Sequence, residues 1–125
     1  MIRLATLLLL LVSFSTVAAG DQPTMDQLVA HLEKSTGIDL TEEPVFAFML
    51  GGMEGISLAA GQDEVIIIRY DLDVPYQRNL FQKYKKEGIT SNGVTDIPFA
   101  NGSFLLFDYF PTTVTNQIVS AFKKF

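Results

Sequence analysis

The chain of 125 residues contains no cysteine, no tryptophan and a single histidine, His31. Without cysteine there can be no disulfide framework, zinc–thiolate site, iron–sulfur cluster or thiol nucleophile. One imidazole cannot supply the clustered histidines of the common transition-metal sites. Charge is also scarce: 18% of residues are Asp, Glu, Lys or Arg, with a formal net of −5. An acidic chain without a long basic stripe argues against nucleic acid as a ligand. The length suits one domain.

The one long apolar run lies at the N-terminus. Met1-Ile2-Arg3 precedes an apolar stretch from Leu4 to Val12, and small residues lead to Val17-Ala18-Ala19-Gly20. A positive start, an apolar centre and a small-residue cleavage site are the parts of a secretory signal. Val17 and Ala19 suit the narrow pockets of signal peptidase, so cleavage is expected after Ala19. The alternative is a retained N-terminal anchor, although the uninterrupted run is shorter than the ~20 residues of a spanning helix. We therefore expect residues 1–19 to be a signal peptide and residues 20–125 a single small α+β domain. Export without disulfides points to the bacterial periplasm or medium. All but one of the ten Phe and all four Tyr fall in that domain, so aromatic rings should dominate its core.

Thr24 with Gln27 forms a capping box, Met25, Leu28, Val29 and Leu32 share one helical face, and Gly37 ends the helix. Thr41-Glu42-Glu43-Pro44 also looks like a helix start. The apolar residues that follow, 45–50, are compatible with helix or strand, and a short helix ending at Gly51-Gly52 is the preferred reading. Residues 55–60 and 64–70 look like a hairpin around Gly61-Gln62-Asp63, with Val65-Ile66-Ile67-Ile68 the strongest β signal. Asp73 and Pro75 open a helix with Tyr76, Leu80, Phe81 and Tyr84 on its apolar face and Gly88 at its end. Residues 89–93 read as a polar loop. A second hairpin is expected around Asn101-Gly102, a favoured pair for a tight type I′ turn. Pro111 and Thr112-Thr113 introduce a final helix with Val114, Ile118, Ala121, Phe122 and Phe125 on its buried stripe. The expected fold is α+β: an antiparallel four-stranded sheet from two hairpins, with three or four helices on one face. The order strand, Gly turn, strand, Pro, helix, Lys-Lys occurs twice, which suggests an internal echo.

Charge is uneven along the chain. Residues 20–73 hold eleven acidic residues against Lys34 and Arg69, whereas residues 74–125 hold three acids against six bases. Such polarity can guide a partner or favour self-association. Ordinary solvated helix faces would produce it too.

No catalytic constellation is present. His31 has no sequence neighbour to make it a base. Asp71 and Asp73 follow the strongest strand, where carboxylates often serve chemistry, with Glu54 and Asp108 as companions of unknown distance. Val74-Pro75 interrupts any calcium-loop pattern, and Asp73 as a helix cap explains itself without function. Gly51-Gly52 and Gly55 lack the Lys-Ser of a phosphate loop and read as a flexible joint. Asn101-Gly102-Ser103 fits a glycosylation acceptor but reads as a hairpin turn. The residues single out no cofactor and no metal.

Glu64-Val65-Ile66-Ile67-Ile68-Arg69-Tyr70-Asp71, Ile97-Pro98-Phe99-Ala100-Asn101-Gly102-Ser103-Phe104 and the closing Gln117-Ile118-Val119-Ser120-Ala121-Phe122 together resemble small exported bacterial α+β proteins that carry no established activity. The resemblance covers residues 45–125 and implies location and fold. Ile97-Pro98, the hairpin and the last helix also resemble the closing part of a thioredoxin-like α/β domain. That likeness implies at most a non-catalytic relative, because the cysteine pair is missing.

The function expected from these readings is an exported, non-enzymatic domain binding a protein or envelope component. The alternatives are a small-ligand binder using an aromatic cluster, and a hydrolase built on Asp71, Asp73 and Glu54. The candidate binding residues are Tyr70, Asp71, Asp73, Pro98, Phe99 and Tyr109.

Overall fold

The computed structural model describes residues 22–125. The expected signal peptide and its cleavage site lie outside the described residues. Helix α1 (Met25–Thr36) carries the capping box foreseen from Thr24 and Gln27: the threonine hydroxyl accepts from the Gln27 N–H, and the Gln27 amide oxygen accepts from the Thr24 N–H. Gly37, in the left-handed region, closes it. Three strands follow, β1 (Thr41–Val45), β2 (Glu54–Ala60) and β3 (Asp63–Arg69), with a 3-10 turn over Ala47–Leu50 between β1 and β2. Helix α2 (Pro75–Glu87) leads to strands β4 (Ile89–Ser91) and β5 (Val94–Asp96), then β6 (Phe99–Asn101), β7 (Phe104–Phe107) and helix α3 (Thr113–Lys123).

The chain is α+β, but the expected four-stranded sheet with helices on one face is wrong in three respects. The main sheet has five strands, in the order β1-β2-β3-β7-β6, and a separate two-stranded ribbon pairs β4 with β5. The fifth strand, β1, comes from Thr41-Glu42-Glu43-Pro44, which mimics a helix cap. It pairs antiparallel with β2, Thr41 opposite Ala59 and Val45 opposite Gly55. Pro44 is tolerated because β1 is an edge strand, where a missing donor need not break a ladder. The ribbon lies in the segment read as a loop. Asn92 and Gly93, both at positive φ, make its turn, the geometry for which Asn-Gly is favoured.

The third difference is the sidedness of the helices. On one face of the sheet, Leu28 and Leu32 of α1 and Ile118 and Phe122 of α3 pack with Leu58, Val65, Ile67, Phe104 and Leu106. On the other, Phe81 of α2 and Ala47 of the 3-10 turn pack with Ile68, Tyr70, Leu105 and Phe107. Alternate residues of β7 therefore enter different cores, and all four are buried. A strand covered on both faces reads as a continuous apolar run, which explains Val65–Ile68 and 104–107. Every strand pair is antiparallel, so the alternative of a degenerate thioredoxin-like α/β domain is also set aside. The Ile97–Pro98 bond is trans.

The two hairpin–helix units meet at the β3–β7 pair, but α2 and α3 cover opposite faces. A two-fold axis through an antiparallel pair would put both helices on one face, so the sequence echo is not a symmetric repeat. Both hairpins do share a device. Two residues connect β2 to β3 and β6 to β7, and glycine at positive φ is the first of each pair, Gly61 and Gly102. Glycine at the first central position is the mark of the type II′ turn. The β6–β7 turn is thus centred on Gly102-Ser103, one residue later than Asn-Gly implied. Asn101 is left free to donate its amide to the Phe122 carbonyl at 2.8 Å, tying β6 to the last turn of α3.

Candidate functional site

One end of the main sheet gathers the beginning of β2 and β7 and the finish of β1, β3 and β6. The ladder continues past Arg69, because the Tyr70 N–H donates to the Ser103 carbonyl at 2.9 Å. Two clefts open here and share Ser103 as a common wall. The first, about 460 Å³, lies between the start of α1 and the chain after α3. Pro23, Gln27, Asn101, Phe104 and Phe125 line it. The second, about 300 Å³, is lined by Gln22, Met53, Arg69, Tyr70, Asp71, Leu72 and Asp73. The Ser103 hydroxyl is buried and has no hydrogen-bond partner.

The polar groups of the second cleft are held by local bonds. The Asp71 carboxylate accepts from the Asp73 N–H at 3.0 Å, the side-chain turn by which aspartate bends its own backbone. The Gln77 amide oxygen accepts from the Asp71 N–H at 2.8 Å and fastens the turn to α2. Asp73 does not cap that helix: Val74 occupies the N-cap position without a side-chain bond, and Pro75 begins the first turn. Arg69 forms an ion pair with Glu54 across the β2–β3 pair. Tyr70 is fully buried, edge-on to Phe81, and its hydroxyl donates to the Leu50 carbonyl at 2.9 Å. Burial, with the Tyr84 phenol as a smaller cause, pushes its ionisation well above the usual tyrosine range.

That last bond helps to anchor an exposed apolar turn. Leu50 ends the 3-10 turn; Phe46 just before it and Phe48 and Met49 within it are 78%, 72% and 75% exposed. Met53, shortly after them in the chain, is exposed and also lines the second cleft. The turn is well anchored. Ala47 is buried, the Gly51 and Gly52 N–H groups close onto Phe48 and Ala47, and Gly51 lies so close to Leu80 that a Cβ would collide with its methyl. Gly51-Gly52 is accordingly a helix stop and a close packing point rather than a flexible joint.

The structure brings Tyr70, Asp71 and Asp73 together in the second cleft. It does not bring the other candidates to them. Pro98 is buried, and Phe99 is half-buried on the edge strand with the Lys123 ammonium 4.8 Å from its ring centre. Tyr109 stacks on Phe107 at the opposite end of the sheet and lines another cleft with Asp63, Glu64 and Phe110. Its phenol is pushed up by burial and by Asp96. Glu54 reaches the site through Arg69, whereas Asp108 follows β7 at the far end, one carboxylate oxygen buried without a partner. His31 is half-buried and structural: its Nε2 lies 2.8 Å from the Ala121 carbonyl, and its ring meets Phe125. Among the described residues no three His, Asp or Glu side chains are grouped to hold a metal ion.

Sequence reasoning passed over Phe46, Phe48, Met49, Met53 and Ser103. A usable signal existed for the first four. Residues 46–53 form eight consecutive uncharged positions rich in Phe and Met, directly after a strand too polar to need them as core. No signal marked Ser103.

In comparison with known proteins, no family model, no curated protein and no solved structure matches the chain. No helix among the described residues is long and apolar enough to cross a membrane.

Proposed function

We propose that the protein is an exported, non-enzymatic domain that docks a protein or envelope component at the end of its sheet. The observation that carries this reading is the Phe46–Phe48–Met49 surface. Single exposed apolar residues are ordinary, but a contiguous group held on an anchored turn marks an interaction site. A core residue left outside by accident would not be backed by a buried tyrosine bond and two close glycine contacts. Aromatic and methionine side chains are also the types enriched at interface centres.

Crosslinking of the tagged protein in its native envelope fraction, followed by mass spectrometry, tests docking. A reproducible partner that is captured by the wild type and lost from Phe48→Ser with Met49→Ser supports it. Capture unaffected by those changes refutes this surface. Export has its own test: the intact mass should begin at Gly20, and a protein beginning at Met1 would contradict cleavage.

A second reading has one observation in its favour. The first cleft is walled by the Phe104 and Phe125 rings, which meet edge-on with centroids 6.1 Å apart, and it is large enough for a small ligand. A saturable rise in melting temperature with a metabolite or lipid would support it. A flat response across a broad panel would count against it.

A further inference from the structure

We propose that the second cleft receives one lysine or arginine side chain of the docked segment, so that the partner is an apolar sequence flanked by positive charge. This rests on the docking reading above and adds the chemistry of what docks. The cleft follows the exposed turn along the chain: Met53, exposed and four residues after Met49, is part of its lining. Its volume of about 300 Å³ suits a single long side chain rather than a folded element. Met53 and Leu72 offer apolar walls for a methylene stem, in the way long basic side chains bury their stems along apolar surface.

The acceptors are Asp71 and Asp73. Of the two cations nearby, Arg69 is paired with the Glu54 carboxylate, and Arg78 donates to the Leu72 carbonyl at 3.3 Å rather than to either aspartate. Among the described residues neither aspartate has an ion-pair partner. Ser103 forms part of the wall, is 4% exposed, and its enclosed hydroxyl has no partner. An unmet buried hydroxyl is uncommon in native proteins and calls for an explanation. The surroundings repeat the sign: Glu42 and Glu43 precede the uncharged residues 46–53, and Glu54 follows them. An apolar surface bordered by carboxylates selects partners through charge as well as contact.

The test uses the purified protein and two fluorescein-labelled amphipathic peptides, one of leucine and lysine, the other with glutamine for every lysine. Fluorescence anisotropy should show the lysine peptide bound about tenfold tighter or more, a difference that shrinks as salt is raised. Asp71→Asn with Asp73→Asn should bring the lysine peptide to the affinity of the glutamine peptide. The amide introduced at position 71 keeps an oxygen to accept from the backbone N–H of residue 73, so the turn survives, and circular dichroism checks the fold. Equal binding of both peptides, abolished by Phe48→Ser with Met49→Ser, would overturn the cationic specificity and leave docking standing. Binding of neither peptide would overturn the apolar, cationic occupant, and the crosslinking test above would then decide docking by itself.

Discussion

Tyr70→Phe removes one oxygen and leaves almost everything else in place. The ring keeps its edge-on contact with Phe81, so the loss is confined to the bond from the hydroxyl to the Leu50 carbonyl. A hydrogen bond of this kind contributes roughly 1 kcal/mol net, and a carbonyl left short of a partner adds to the cost. The expected destabilisation is about 1–2 kcal/mol, which for a domain near 100 residues lowers Tm by roughly 5–10 °C. The bond also has a pH signature. Burial raises the ionisation of Tyr70 in the folded state, while the unfolded phenol ionises near its ordinary value of about 10. The neutral phenol's contribution is therefore fully present below about pH 10 and is lost as pH rises further, because the unfolded chain releases its proton first. Tyr70→Phe has no such proton to release. Urea denaturation of both proteins should show a stability gap that is constant around neutrality and narrows above about pH 10. A Tm within about 2 °C of wild type, or a gap that widens with pH, would refute the assignment.

Three further substitutions probe the architecture. Gly88→Ala should cost at least about 2 kcal/mol and disturb the β4–β5 ribbon, because Gly88 has φ +73° and a Cβ would run into the backbone carbonyl of Asp96; thermal melts and ribbon amide exchange check this. Leu106→Ala should cost roughly 3 kcal/mol by emptying a fully buried position under α1 and α3, measurable as a fall in the urea midpoint. Phe48→Ser should change stability by less than about 0.5 kcal/mol while weakening partner capture, and a large loss of stability would show that the residue belongs to the core.

Much of the fold was legible wherever a local signal had a single physical meaning. The Thr24–Gln27 box, the glycine turn at 61, the branched run at 65–68 and the Ile118, Ala121 and Phe122 part of the α3 stripe each stand where expected, whereas Val114 is half-buried and Phe125 is exposed beyond the helix. The misreadings came from signals with two meanings. Thr41-Glu42-Glu43-Pro44 satisfies a helix cap in composition and an exposed edge strand in fact, and only pairing with β2 decides between them. Asn-Gly occurs twice. The pair at 92–93 makes a hairpin turn in a segment read as a loop, and the pair at 101–102 is displaced by one residue, with Asn101 bonded to α3. The unbroken apolar character of 104–107 already implied cover on both faces, which a sheet with helices on one side cannot provide. At the site, Tyr70, Asp71 and Asp73 were reachable because they are neighbours in sequence. Phe99 and Tyr109 were grouped with them by residue type alone, and strand geometry separates them.

The two Asn-Gly pairs also set how the protein ages. Deamidation of asparagine before glycine needs the side-chain carbonyl carbon to be attacked by the next backbone nitrogen, so a free, mobile amide reacts first. At 101 the amide is held on the Phe122 carbonyl, and the following Ser103 is buried, which removes the site from slow hydrolysis and from glycosylating enzymes alike once the chain has folded. At 92 the side chain projects from the tip of a two-stranded ribbon, exposed and at positive φ. Stored protein should therefore acquire its new negative charge at the ribbon tip and not at the clasp between β6 and α3. The position of that first charge in a peptide digest dates a sample without reporting any loss of its fold.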